Sequence, residues 1–152
     1  MTAAQRSAIA ANMQARFTAS VASRDAAAFA REQQASMRTT GVRDLDQADQ
    51  LAQLSSRSNP LAVASYVAEV LALDLRAQLP AITAPILVLA PYFDQDPVDT
   101  RTSAEAKAAY CGTLLTGAAR VQVRAVPESR HFLMFDQPQV LNDLLRTYLQ
   151  SL

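Results

Sequence analysis

Only two stretches of this chain read as β-strands, and two strands are too few to close a sheet. The first follows Ala84-Pro85: Ile86-Leu87-Val88-Leu89-Ala90 is a short, unbroken apolar run held between prolines. A run without alternation suits a strand of a parallel sheet buried on both faces. The second is Val121-Gln122-Val123-Arg124-Ala125-Val126, closed by Pro127. Between them, Asp99 and Thr100 are expected to open a helix through about Leu115, with Gly117 placed to end it. After them, Asp136 is expected to cap a last helix that carries Pro138 in its first turn. The stripe of that helix is Val140, Leu141, Leu144, Leu145, Tyr148, Leu149 and Leu152. The order strand–helix–strand–helix is α/β logic, a parallel pair joined by a right-handed crossover. Such a pair needs cover on both faces and both edges. The pattern therefore fits one edge of a larger sheet whose other strands lie outside this chain.

Residues 1–79 have another character. They are rich in Ala, Gln, Arg and Ser, with helical spacing and no strand signal. Ile9, Met13 and Phe17 recur every four residues, a helical stripe. Asp25 is placed to cap a second helix, Asp44 or Asp46 a third, and Asn59-Pro60 marks a fourth start. That fourth helix is expected to turn Tyr66, Val67, Val70, Leu71 and Leu73 toward an apolar surface. With 152 residues the chain is long enough for one domain with a real core. Half of it is hydrophobic, but aromatics are 6%, Trp is absent and much of the rest is alanine, so the core is expected to be thin.

Fourteen basic and fourteen acidic residues balance, and no Lys/Arg run is present, which argues against a nucleic-acid or anionic-membrane partner. One cysteine, Cys111, excludes an intrachain disulfide and a Cys-rich zinc site, and reads as an inert core thiol in a reducing compartment. The start MTAAQRSAIAANMQ does not read as a signal peptide, and no segment is long and apolar enough to span a bilayer. A cytoplasmic chain is expected.

Two segments carry a resemblance. One is the strand Pro85-Ile86-Leu87-Val88-Leu89 followed by the loop Ala90-Pro91-Tyr92-Phe93-Asp94-Gln95-Asp96-Pro97. The other is Ser129-Arg130-His131-Phe132-Leu133-Met134-Phe135-Asp136-Gln137-Pro138. Together, residues 80–152 resemble the closing segment of α/β-hydrolases, in which a catalytic acid follows the penultimate strand and a catalytic histidine follows the last. The histidine segment is the closer match; in the acid loop Ala90-Pro91 stands where a glycine is usual. Residues 1–79 are similar, more loosely, to the helical cap of such enzymes. The resemblance thus implies a partial α/β-hydrolase fold: a cap-like region over 1–79 and a C-terminal core segment over 80–152. It implies His131 as general base and Asp94, with Asp96 as second choice, as the carboxylate that orients it. The nucleophile elbow G-x-S-x-G is missing, since none of Gly41, Gly112 and Gly117 flanks a serine in that pattern.

Each candidate has a plainer structural reading. His131 is the only histidine, and a lone histidine is more often a surface or structural group. Asp94 and Asp96 can be solvated loop carboxylates, and Asp99 a helix cap. Asp136 reads as a cap, and Phe132, Leu133 and Met134 as packing beneath the loop. Tyr66 and Tyr92 read as packing groups. Ser129 stands two residues from His131, a spacing that brings no hydroxyl onto the imidazole, so it is not taken as a nucleophile.

The leading expectation is the C-terminal portion of a serine-type hydrolase acting on an ester, lactone or similar acyl bond, inactive alone, with no cofactor and no metal. Its partners would be a small acyl substrate, once the complete enzyme is formed, and a homodimer mate or complementing N-terminal half. The alternative is a non-catalytic interaction or oligomerising protein derived from a hydrolase. A third reading makes Met1 an internal methionine of a longer protein.

Overall fold

Asn59 accepts hydrogen bonds from the Leu61 and Ala62 N–H groups at 2.9 and 3.1 Å and so starts a helix, with Pro60 at its first position. The computed structural model describes residues 2–22, 26–97, 99–100 and 102–152. Its helices and strands are, in chain order, α1 (Ala3–Ala22), α2 (Ala26–Ser36), a π-helical turn Met37–Gly41, α3 (Leu45–Ser55), α4 (Pro60–Ala72), a 3-10 turn Arg76–Ala81, β1 (Ile86–Tyr92), α5 (Ala104–Thr113), β2 (Val121–Pro127), α6 (Leu133–Asp136) and α7 (Pro138–Gln150). The chain divides into two compact units: Met1–Arg38 with Asp46–Asp74, and Thr39–Leu45 with Leu75–Leu152.

The first unit is helical. A capping box opens α1: Thr2 Oγ1 accepts the Gln5 N–H at 3.2 Å and Gln5 Oε1 accepts the Thr2 N–H at 2.7 Å. Helix α1 packs along α4, and Arg6, near the start of α1, pairs at 3.0 Å with Asp74, just past the end of α4, so the two run antiparallel. The buried face of α4 is Ala64 and Ala68, small side chains that let the two helices approach closely. Tyr66, Val70 and Leu73 of the expected apolar face are instead exposed, at 67%, 70% and 57%. Among the described residues of α2 and α3 those buried are Phe29, Ala48 and Ala52, two of the three being alanine. Helix α3 begins directly after Asp44, with Asp46 in its first turn. Asp25, and the side chains of Met13 and Phe17, lie outside the described residues.

The second unit mixes helix and strand. β1 and β2 pair in parallel, Ile86 opposite Val121 through Tyr92 opposite Pro127, and α5 packs on both strands. Val121, Val123 and Ala125 are half-buried, while Gln122 and Arg124 are exposed. The double-sided burial expected for β1 is not reached: Ala90 alone is buried and the other six residues are half-exposed. Helix α7 forms where expected, but its stripe is not covered. Leu141, Leu144 and Tyr148 are half-buried, whereas Val140, Leu145, Leu149 and Leu152 are exposed by 40%, 40%, 66% and 67%. Two helix starts differ from expectation. Ser103, not Asp99, caps α5 by accepting the Ala106 N–H at 3.1 Å, and the helix closes at Thr113, ahead of Gly117. Asp136 does not cap α7; it ends α6, and Gln137 precedes α7 without a side-chain cap.

Candidate functional site

Because β1 and β2 are parallel and in register, the loops that follow them leave from the same end of the pair, where ligands of α/β sheets commonly bind. The loops are laced together at the exit: the Ser129 N–H donates to the Tyr92 carbonyl at 3.1 Å. Glu128, the first residue past β2, adopts a left-handed φ of 55°, which costs a non-glycine residue about 1 kcal/mol and turns the chain sharply. Its carbonyl accepts from Arg43 Nη1 at 3.1 Å and Gln137 Nε2 at 3.0 Å, contacts that hold the turn. Ser129 is 1% exposed and its Oγ donates to the Val126 carbonyl at 2.7 Å. That hydroxyl finishes the strand and is committed to it.

His131 stands beyond this turn, exposed, its ring edge-to-face with Phe132 at 4.8 Å. Among the described residues the imidazole has no hydrogen-bond partner. Its backbone is fixed instead: the His131 N–H donates to the Thr40 carbonyl at 3.0 Å and the Phe132 N–H to the Gly41 carbonyl at 2.9 Å.

The three aspartates of the first loop have separate roles. Asp94 is exposed, with no hydrogen bond or ion pair among the described residues, and is not brought into hydrogen-bond contact with His131. Asp96 is held by Arg130, Nη2 to Oδ1 at 2.6 Å and Nε to the two oxygens at 3.0 and 3.1 Å. Asp99 is 4% exposed, and its Oδ2 accepts the Phe93 N–H at 3.1 Å and Lys107 Nζ at 2.8 Å. It closes the loop back on β1, which is why it is not free to cap α5. Tyr92, whose hydroxyl donates to the Thr102 carbonyl at 2.9 Å, has its pKa raised by desolvation, and further by Asp94, Asp99 and Glu105.

A hollow of about 370 Å³ opens beside this cluster, bounded by Thr40, Pro97, Asp99, Lys107, Ser129 and His131 among others. Its size suits a small molecule. Its chemistry is that of an accessible imidazole next to two internally neutralised ion pairs, Arg130–Asp96 and Lys107–Asp99. Among the described residues no group of His, Cys, Asp and Glu is placed to hold a metal ion, and no helix is long and apolar enough to cross a membrane.

Sequence reasoning missed the neighbours that hold His131. Two guanidinium groups lie over the Phe93 ring, that of Arg43 at 4.7 Å and that of Arg130 at 5.0 Å from its centre. Asp136 accepts the Arg43 N–H at 2.9 Å on Oδ1 and the Arg130 N–H at 2.7 Å on Oδ2. Nothing in the local spacing of residues 39–43 marked them as neighbours of a loop near residue 131.

No family model, curated protein or solved structure matches the chain.

Proposed function

We propose that this chain is the C-terminal portion of a serine-type α/β-hydrolase acting on an ester, lactone or similar acyl bond. In the complete enzyme His131 is the general base and Asp94, which makes no hydrogen bond to it in this chain alone, is the carboxylate that comes to orient the imidazole. The serine comes from a complementing N-terminal half, attacks the acyl carbon and gives its proton to His131, which passes it to the leaving group. The observation that carries this reading is the exit of the acid loop and the histidine loop side by side from two parallel strands. Asp94 is favoured over Asp96 because Arg130 already occupies the Asp96 carboxylate, whereas that of Asp94 has no partner among the described residues. The sheet supports a missing half as well. β2 alternates and turns Gln122 and Arg124 outward, in the manner of an edge strand, whereas β1 is apolar throughout, in the manner of an inner strand.

The test is the gene product purified from its own cells, measured for intact mass and for labelling by a fluorophosphonate, which modifies activated serines. A mass near twice 16.4 kDa, with the label on a serine outside residues 1–152 and turnover lost in His131→Ala, supports the reading. His131-dependent ester hydrolysis by the 152-residue chain alone would overturn it.

The exposed stripe of α7 favours a second reading, a non-catalytic chain that buries Val140, Leu145, Leu149 and Leu152 against a second copy or another protein. A native product of 16.4 kDa that dimerises with concentration and takes no label would put this reading first.

A further inference from the structure

The segment 39–43 runs beside the histidine loop as a strap. Its Thr40 and Gly41 carbonyls accept the N–H groups of His131 and Phe132, and the Val42 carbonyl accepts Arg130 Nη1 at 3.0 Å. Asp136 closes the arrangement from the other side. One carboxylate oxygen takes the Arg43 N–H of the strap and the other takes the Arg130 N–H of the loop, across 93 residues of sequence in the first case. Val42 is fully buried, Gly41 is buried, and Asp136 is half-buried, so water competes weakly for these bonds. The backbone on both sides of His131 is thereby tied, while its imidazole is left to the hollow.

We propose that Asp136, acting through the strap 39–43, is a positioning residue for His131. It fixes the loop backbone so that the imidazole presents one orientation to the hollow. The role rests on the reading of His131 as a general base, since a group that transfers protons needs its direction fixed. Asp136 touches no reacting atom. Its two acceptor oxygens both matter: in Asp136→Asn one becomes an NH2 group that faces an N–H and cannot accept from it.

The experiment is NMR on the full chain, where the single histidine gives one set of ring signals. In Asp136→Asn, the His131 and Phe132 amides should exchange with solvent about tenfold faster. The His131 ring signals should broaden or split, while the amides of Ala64 and Ala68 in α4 keep their protection. Arg130→Gln keeps the loop N–H and removes the side-chain tie to Val42, so it should move the same signals less far, and it serves if Asp136→Asn does not fold. Unchanged His131 exchange and ring signals in whichever variant folds would overturn the positioning role. So would a loss of protection spread evenly over both units. In a complete enzyme containing this segment, Asp136→Asn should lower kcat with KM nearly kept. If no complete assembly shows His131-dependent turnover, the hydrolase reading fails while the exchange result stands, so the two failures are told apart.

Discussion

Arg130 lays its guanidinium against the Asp96 carboxylate, Nη2 at 2.6 Å and Nε at 3.0 and 3.1 Å, with both side chains mostly out of water, at 14% and 18% exposure. The same group spans to the Val42 carbonyl and stacks over Phe93. Removing it leaves a part-buried carboxylate without its cation and a buried carbonyl short of a donor. Arg130→Met is therefore expected to cost about 2 kcal/mol in urea unfolding. The double variant Arg130→Met/Asp96→Leu should recover much of that, because it leaves no charge stranded. A double variant weaker than the single would show that the side chains act through packing on Phe93.

The Asn59 cap gives a smaller and cleaner effect. Its side chain serves two N–H groups that α4 leaves without helical partners. Asn59→Ala should destabilise the helical unit by roughly 1 kcal/mol, and Asn59→Gly by only a few tenths. Thermal unfolding followed by circular dichroism measures both, and equal losses would mean that the cap bonds contribute little.

These two sites differ in how far sequence announces them. Asn59-Pro60 is a local signal, read within three residues, and the structure uses it as written. The parallel pairing of β1 and β2 was likewise legible, from apolar runs separated by a helix-length segment. Asp99 and Asp136 were misread for one shared reason. Each is a good cap by local spacing, but each carboxylate finds a partner that appears only when the loops close: Lys107 and the Phe93 N–H for Asp99, the Arg43 and Arg130 N–H groups for Asp136. Local propensity ranks caps; it does not register a donor that loop closure brings in, whether from six residues away, as the Phe93 N–H, or from 93, as the Arg43 N–H. Exposure of the α7 stripe was illegible too, since periodicity names the apolar face of a helix without saying whether anything covers it.

Acid should weaken the helical unit at Asp49. Its carboxylate accepts Arg38 Nε and Nη2 at 2.7 and 2.6 Å and Gln34 Nε2 at 3.0 Å, and the Arg38 hydrogen bonds, followed by that of Gln34, lower its pKa from 3.8 to about 2. A carboxylate with a lowered folded pKa contributes fully above its unfolded value and loses that contribution as pH falls through the folded one. Wild type should thus melt above Asp49→Asn at pH 5, and the gap should close between about pH 4 and pH 2. Added salt should narrow it at pH 5, because the pair is open to solvent. A gap that persists unchanged below about pH 2 would assign the difference to side-chain packing.

Two glycines of the second unit should answer the same substitution with opposite signs. At Gly112, within α5, an added Cβ would meet Val123 Cγ2 at 3.9 Å, an ordinary contact. Alanine there restricts the unfolded chain and suits the helix, so Gly112→Ala should stabilise by roughly 0.5 kcal/mol. At Gly117, in the turn after α5, the Cβ would lie 3.2 Å from Leu79 Cβ, 3.4 Å from Pro80 Cδ and 3.5 Å from the Arg76 carbonyl. Those atoms belong to the 3-10 turn Arg76–Ala81, where the proline ring and backbone have little room to yield. Gly117→Ala should therefore destabilise by about 1 kcal/mol through overpacking. Parallel urea titrations of the two variants decide it. A stabilised Gly117→Ala would mean that the turn relaxes at no cost, and that the glycine is not required by its contact with Leu79.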